Sequence, residues 1–522
     1  IIKNMGNTYD ILKRKEDKIG IKDLVKIDNF KNIITSEKVK EITIIGLIIP
    51  LFFVPLISHK AIANHYLKSR NINSEMVEQV PAKVFFAIGI SNSPRAEGWF
   101  NDVGSKAMTD TKVDHEYFDR VIKERIEYFI NNKKEFLKFY FKKTASIWAE
   151  PTYNAIFYAT IDENRHNEID KNDLWTAYFK LLRNNPVSSS LYDGEYSKYL
   201  SINSKIIQYT VLLFAFIYIV DKIRKKKELS KTDTVLMLIF LGGYAFHILW
   251  EGKARYIIGY HLALFPLAFM GLTIFSNKII EKIISKKKTK DLEVVEIKSN
   301  KIKKTTNKFV KYINILIYSV FLIFMSVTLI QNLLMHLQIK VFSSLESISF
   351  EKQHIGLFLA SMLGVIVLII LTTLFIKIFK NMSPKKRKIL NIFLITGLII
   401  CNIALSVWWI NTTFARPSYD QLTVLRDSYN MYKHEPNTDI DNIYLGRYPQ
   451  QIPLMYYQSL VMKLFNVNTY ENAVKLFFSL NVIYYIGIFI LIYMIFKHIV
   501  DKRNEKKTKE EKYGYTSLIT AV

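Results

Sequence analysis

Long, uninterrupted apolar runs constrain this chain more strongly than any other feature of its sequence. Half of the 522 residues are hydrophobic, and most of the runs hold roughly 17 to 25 residues, the length of helix that crosses a bilayer. The first two runs are short for a span, and Pro50 and Pro55 interrupt the first. The sequence predicts an all-α polytopic membrane protein with eight candidate transmembrane helices: Ile42–Ile57, Ile206–Val220, Thr234–Trp250, Ile257–Phe275, Ile313–Ile330, Ile355–Phe379, Ile389–Trp409 and Leu476–Phe496.

Basic residues give the chain a formal net charge of +26. In a soluble protein such a charge would favour a nucleic-acid partner. In a chain with long apolar runs, a high positive charge instead indicates cytoplasmic loops, because Lys and Arg collect in the cytoplasmic loops of membrane proteins. We therefore expect membrane lipid as a partner and no nucleic acid.

Short loops determine the predicted orientation. Lys and Arg cluster in residues 222–231 and 380–388, and again after the fourth and eighth spans. These segments and both ends of the chain are therefore predicted to face the cytoplasm. The remaining segments are predicted to lie outside: 58–205, 251–256, 331–354 and 410–475.

A Lys-rich stretch at 285–308 lacks apolar periodicity and is typical of a flexible linker. The predicted organisation is a basic cytoplasmic segment 1–41, a first membrane half 42–275 with an outer domain 58–205, a linker 276–310, a second membrane half 311–496 with an outer loop 410–475, and a tail 497–522. The chain begins at Ile1 and ends in a run that resembles the start of another apolar helix. We expect it to be part of a longer reading frame.

The outer segment 58–205 is predicted to be mostly helical. Apolar residues recur at helical spacing between Asp114 and Trp148, with Asp114 as the predicted cap. Acidic and polar residues between Asp162 and Asp173 resemble a calcium loop only loosely. A solvated polar loop is the favoured interpretation there. The single cysteine, Cys401, lies within a span, so no disulfide framework is expected.

The hairpin between the third and fourth spans concentrates charge at the membrane rim. On one continuous helix, His247 and Glu251 would share a face, and Lys253 and Arg255 add two cations. An Arg fork beside a Lys point charge suits a lipid phosphate or pyrophosphate head group. With Tyr256, these residues are the first group of candidate binding residues. The alternative is that Glu251 pairs with one cation while the other reaches the interface.

A second polar cluster follows the span that ends at Trp409. Asp420 lies a few residues beyond that span, and a Tyr-Leu-Gly-Arg-Tyr-Pro-Gln-Gln run lies further along the same outer loop. Such clusters at a membrane surface usually handle a polar substrate. Alternatively, Asp420 only caps the amphipathic stretch 421–432. The candidate binding residues of the run are Tyr444, Arg447, Tyr448, Gln450 and Gln451.

Residues 389–496, with Pro-Ser-Tyr-Asp-Gln and then Tyr-Leu-Gly-Arg-Tyr-Pro-Gln-Gln, resemble the N-terminal catalytic region of bacterial GT-C membrane glycosyltransferases. The resemblance is to dolichyl-phosphate-mannose protein mannosyltransferases, glycosyltransferase family 39. Residues 80–275 resemble the C-terminal part of the same family through three motifs: Ala96 to Asn101, Trp148 to Thr152 and Gly242 to Tyr256.

The resemblance implies a sugar transfer from a polyprenyl-phosphate donor to an extracytoplasmic glycan, lipid or protein acceptor. It implies that Asp420 acts as general base in an inverting displacement, and that Lys253 and Arg255 stabilise the leaving phosphate, with Arg447 as a further cation. It implies a multi-pass protein of the bacterial cytoplasmic membrane. No cofactor is expected, and a divalent metal at the Asp439 and Asp441 pair is the less favoured interpretation.

One departure from the family is the order of its parts, because the C-terminal-like half precedes the N-terminal-like half. The expected explanations are a fragment across two tandem or fused copies and a reading frame assembled from adjoining genes, and a working permuted enzyme is the less favoured one. The two half-sites can therefore belong to different molecules. The competing class is a transporter, flippase or non-catalytic export subunit for lipid-linked sugars. Transporters usually place charge near the bilayer midplane, whereas the charges here cluster at the outer rim.

Overall fold

The computed structural model describes residues 57–72, 77–109, 111–154, 190, 195–225, 231–288, 308–342, 345–413, 417 and 420–504. The described helices are α1 (Ala82–Ile90), α2 (Asp102–Thr109), α3 (His115–Asn131), α4 (Lys133–Trp148), α5 (Glu195–Arg224), α6 (Lys231–Leu249), α7 (Ile258–Leu262), α8 (Leu264–Lys288), α9 (Lys308–Leu334), α10 (Ile355–Lys380), α11 (Pro384–Thr413), α12 (Asp420–Lys433), α13 (Asp439–Arg447), α14 (Ile452–Leu464) and α15 (Tyr470–Asn504). Two strands, β1 (Met335–Phe342) and β2 (Leu345–Lys352), separate α9 from α10. Residues 57–69 are also helical.

Seven of these helices are long and apolar enough to cross a membrane, namely α5, α6, α8, α9, α10, α11 and α15. They coincide with seven of the eight spans predicted from hydropathy, in agreement with an all-α polytopic membrane protein. The predicted span at 42–57 lies almost entirely outside the described residues, and so does the polar loop at 162–173.

The described residues form two compact units, one of 57–72, 77–79 and 423–465, and a larger one of the remaining residues. In the larger unit α5 packs against α8, α9 and α10, so spans from both sides of the Lys-rich linker share one core. The crossing of α5 and α8 is close, because a Cβ on Gly271 would lie 1.9 Å from the carbonyl oxygen of Phe214. Helices α11 and α15 pack against each other.

Ion pairs join the ends of several spans. Asp221 near the end of α5 contacts Lys278 of α8 at 3.1 Å, and Asp233 at the start of α6 contacts Lys222 at 3.4 Å. Lys380 at the end of α10 donates to Asn277 of α8 at 2.7 Å. These contacts place three predicted cytoplasmic loops, which are rich in basic residues, at the same end of the larger unit.

The opposite end of the unit carries α1 to α4. The Asp114 carboxylate accepts a hydrogen bond from the Tyr117 amide at 2.9 Å, as the predicted cap would. The continuous helical pattern predicted between Asp114 and Trp148 is broken at Asn132, where α3 ends and α4 begins. The break lets Arg125 of α3 lie over the rings of Phe129 and Phe139, with its guanidinium 4.3 and 5.0 Å from their centroids.

Strands β1 and β2 form an antiparallel hairpin in a loop for which the sequence analysis predicts no strands. Alternating side chains explain the pairing, because Leu337 and Ile348 both face the cluster around Trp99. This hairpin comes from the second predicted half of the chain, and it packs on the first.

The smaller unit contains the helical residues 57–69 and the helices α13 and α14, together with α12 from Thr423 onward. Its core includes Tyr66, Val424, Leu445 and Ile452. The missing amide hydrogen of Pro453 is tolerated in the first turn of α14.

Candidate functional site

The charged hairpin after α6 is not a continuation of that helix. Helix α6 ends at Leu249, and a short 3-10 helix begins at Ala254. The expectation that His247 and Glu251 share a helical face is therefore wrong. His247 Nδ1 lies 3.4 Å from the main-chain oxygen of Glu251, so the link between the two residues runs through the backbone.

Close backbone contacts hold the hairpin in place. The Glu251 amide donates to the Phe85 carbonyl at 3.1 Å, and the Gly252 amide donates to the Gly98 carbonyl at 3.3 Å. A Cβ on Gly89 would lie 2.3 Å from the Leu249 oxygen, so only glycine permits this approach.

Lys143 of α4 ties the same segments together from within the protein. Its fully buried ammonium donates to the carbonyls of Gly89, Ile248 and Trp250 at 2.5, 2.8 and 2.9 Å. These three acceptors match the three hydrogens of a lysine ammonium. Burial lowers the pKa of Lys143 to about 7, and the nearby Glu251 carboxylate opposes that shift.

A buried carboxylate in the β-hairpin binds two cations at once. Glu346 Oε1 accepts from Lys253 Nζ at 2.6 Å, and its Oε2 lies 2.8 Å from Arg95 Nη2. Arg95 Nε also donates to the Glu346 main-chain oxygen at 2.7 Å. Both cations lie beside the ring of Trp99, 5.7 and 5.8 Å from its centroid. The side chains of all three charged residues are at most 7% exposed.

Glu251 and Arg255 complete the charged cluster. Burial raises the pKa of Glu251, while the neighbouring cations oppose that shift. Arg255 is a half-buried residue, and its guanidinium lies 5.4 Å from the centroid of the Tyr256 ring. Burial also raises the pKa of Tyr256 to about 12. We call Arg95, Glu251, Lys253, Arg255 and Glu346 the hairpin cluster.

The hairpin cluster carries three cations and two carboxylates, which leaves one net positive charge when all five groups are ionised. Its chemistry therefore suits one additional anion at the rim of a membrane span. Lys253 is already engaged by Glu346, whereas Arg255 lies nearer the surface. The alternative prediction was that Glu251 pairs directly with one hairpin cation. For Lys253 the structure shows a different carboxylate partner, Glu346.

Asp420 is the first residue of α12 and is exposed. It belongs to the larger unit, as the hairpin cluster does. A carboxylate in a first helical turn is favoured by the helix dipole, so its position suits a capping role as well as a chemical one.

The five loop candidates belong to the smaller unit, at the end of α13 and in the 3-10 helix Pro449–Gln451. The rings of Tyr444 and Tyr448 lie 5.0 Å apart, and Arg447 is buried. The Gln450 carbonyl accepts from His59 Nε2 at 2.9 Å, while the side chain of Gln451 is half-buried. The structure thus brings the hairpin residues together in one unit and the loop residues together in the other.

The sequence analysis did not identify a buried pair of carboxylates in the smaller unit. Asp427 of α12 and Asp441 of α13 are both buried, and Arg426 contacts Asp441. Thr438 Oγ1 also donates to Asp441 Oδ2 at 2.6 Å. Burial, with the adjacent Asp441 charge, raises the pKa of Asp427 to about 7. Asp439, the other acid of the Asp-x-Asp pair, is exposed.

Arg95, Lys143 and Glu346 were also missed. Arg95 directly precedes the Ala96 to Asn101 motif, so its position beside that motif was an available signal. Lys143 stands next to Lys142 in an amphipathic helix, where a buried cation cannot be recognised from spacing alone. In comparisons of the chain with known proteins, no protein-family model, no curated protein and no solved structure matches it.

Proposed function

We infer that this chain is an integral membrane glycosyltransferase that transfers a sugar from a polyprenyl-phosphate donor to an extracytoplasmic acceptor. The observation that carries the proposal is the hairpin cluster, which holds one net positive charge next to the end of span α6. A lipid phosphate presented from the bilayer has the charge and the location that such a cluster suits.

In the proposed reaction, an acceptor hydroxyl attacks the anomeric carbon of the sugar and inverts it. The Asp420 carboxylate takes the hydroxyl proton as the new carbon–oxygen bond forms. The bond between the anomeric carbon and the phosphate oxygen breaks, and its electron pair leaves with the polyprenyl phosphate. Arg255 and Lys253 stabilise the negative charge that develops on this leaving group.

The roles of the two cations differ in this proposal. Lys253 is ion-paired with Glu346 and contributes to the positive potential of the cluster, whereas Arg255 is the less buried residue and contacts the phosphate directly. Arg447, Tyr444, Tyr448, Gln450 and Gln451 belong to the smaller unit and remain proposed binding residues for a polar substrate. The proposal requires no metal.

The test is the Asp420→Asn variant in membranes supplied with polyprenyl-phosphate hexoses, with release of polyprenyl phosphate as the readout. We expect turnover to fall by at least about 100-fold, as loss of a general base requires, with donor binding unchanged. Asp439→Asn is the matched control, because it removes an exposed acid from the same loop. Undiminished turnover in Asp420→Asn would overturn the base assignment.

The second candidate is a transporter or flippase for a lipid-linked sugar. The charged hairpin follows the end of α6 at Leu249 and is not part of a span, a placement that favours chemistry at the membrane rim over a charged midplane pathway. A vesicle assay separates the classes. Movement of a sugar lipid between leaflets, without release of polyprenyl phosphate, would support the transporter.

A further inference from the structure

The turn between α3 and α4 exposes large apolar side chains that do not belong to any of the seven candidate spans. Ile130 and Leu137 are 65% and 66% exposed, and Phe136 is 40% exposed. The two helices pack together beneath these residues, with the Phe129 ring 5.5 Å from the ring of Phe136. Neighbouring apolar side chains on a surface mark a place where a membrane or a protein binds. We call residues 130–138 the tip.

The tip also carries basic charge. It contains three lysines and one glutamate, and that glutamate, Glu135, contacts Lys138 at 3.5 Å. Lys133 and Lys134 are exposed. Two net positive charges therefore lie among the apolar side chains. Lysine beside Ile, Phe and Leu is typical of segments that lie in a membrane interface, where the ammonium reaches the lipid phosphates.

Contacts with two spans fix the position of α4. Gln331 Nε2 of α9 donates to the Phe141 carbonyl at 2.9 Å and to Thr144 Oγ1 at 2.7 Å. Gln331 lies three residues, about 5 Å, before the end of α9. Further along α4, the Trp148 ring stacks on Tyr244, which lies five residues, about 8 Å, before the end of α6. Helix α4 therefore runs along the span ends that are predicted to lie outside.

The exposed Leu137 belongs to the face of α4 that meets α9. Residues 137, 141 and 144 share one face of a helix, because they are four and three residues apart. Leu137 lies one turn, about 6 Å, beyond Phe141 along that face. At the same end of α9, Ile330 and Leu334 are exposed, as lipid-facing residues of a span are. The face that carries Leu137 thus extends past α9 at the level where the lipid head groups begin.

We propose that the tip is a membrane-surface anchor, in which Ile130, Phe136 and Leu137 enter the outer leaflet while Lys133 and Lys134 bind the phosphates of anionic lipids. The anchor does not depend on the proposed function, because it concerns only how α4 lies on the bilayer. The alternative occupant of an exposed apolar surface is a protein. The lysines and the contacts of α4 with two span ends favour lipid.

A fluorescent probe on the tip measures its insertion. With Cys401→Ser as background, Leu137→Cys in the full chain is labelled with a polarity-sensitive fluorophore. The protein is reconstituted in vesicles of phosphatidylcholine and phosphatidylglycerol that contain nitroxide-labelled lipid. The nitroxides should quench this probe. Glu116→Cys is the matched control, because Glu116 is exposed at the opposite end of α3, and its probe should remain unquenched.

Two results of this experiment would overturn the anchor. One is equal quenching at the two labelled positions. The other is a probe at Leu137→Cys that is shielded from water yet not quenched by the nitroxide lipids, which would show that a protein covers the tip.

A second pair of variants tests the lipid phosphates. Lys133→Gln combined with Lys134→Gln should lower the ratio of inserted to free tip by about 25-fold in vesicles with phosphatidylglycerol, about fivefold for each lysine. In phosphatidylcholine alone the ratio should change little. Lys112→Gln combined with Arg120→Gln is the matched control, since it removes two exposed cations outside the tip. Insertion that is independent of phosphatidylglycerol, or equal in the two double variants, would overturn the binding of anionic lipid.

Discussion

Lys253 and Glu346 are 93 residues apart in the sequence, yet the lysine Nζ donates to the carboxylate Oε1 at 2.6 Å inside the protein. The same carboxylate holds Arg95. Removing one member of a buried ion pair leaves the other charge uncompensated, which is more damaging than the loss of an exposed pair.

Glu346→Gln should therefore lower the free energy of unfolding by about 3 kcal/mol, because two buried cations lose their counterion. Asp119→Asn is the control, since Asp119 pairs with Lys83 at the surface and should cost less than about 1 kcal/mol. Denaturant unfolding in detergent measures both. Equal costs for the two variants would contradict the structural role of Glu346.

Lys143→Met should destabilise the charged hairpin after α6 by about 3 kcal/mol. Three buried carbonyls would each lose a hydrogen bond worth about 1 kcal/mol. Lys138→Met is the matched control on the same helix, because the Lys138 side chain is exposed. Hydrogen exchange should show faster exchange of the Glu251 and Gly252 amides in Lys143→Met. Unchanged exchange at these two amides would show that Lys143 does not hold the hairpin.

Asp427 predicts a pH-dependent stability of the smaller unit. Its pKa is raised to about 7 in the folded state, above about 4 in an unfolded chain, so the folded state binds the proton more tightly. This contribution is present in full below about pH 4 and is lost as the pH rises through 7, by up to about 1.4 kcal/mol per pH unit. Asp427→Asn should flatten the profile between about pH 4 and about pH 7, the interval between the unfolded and folded pKa values, measured by hydrogen exchange of α12 and α13. A profile that keeps its slope in the variant would assign the pH dependence to another group.

Cysteine labelling tests the predicted orientation. With Cys401→Ser as background, Lys385→Cys, in the basic first turn of α11, should react with an impermeant maleimide only when the reagent can reach the cytoplasmic side of the membrane. Lys352→Cys, at the end of β2, should react from outside. Both positions are exposed, so access depends on the side of the membrane. The reverse pattern would invert the topology.

Hydropathy was sufficient to locate the described spans, because their burial in lipid depends on composition over some twenty residues. The charged hairpin was also recognisable, since His247 to Tyr256 are contiguous. Its partners were not, because Glu346 belongs to the other side of the linker and no local pattern reports a contact at that separation. The break at Asn132 was missed for a different reason, as apolar spacing continues from α3 into α4.

Helix α5 packs against α9 and α10, and Glu346 binds Lys253, so contacts across the linker hold the two parts of the chain together. This has a consequence for the protein produced as two separate polypeptides. Two polypeptides divided within residues 289–307 would each expose surfaces that only the other can cover. Produced together, they should find one another in the bilayer and copurify without any covalent connection. Produced singly, the first piece would retain Arg95 and Lys253 without their shared counterion, and it should be degraded.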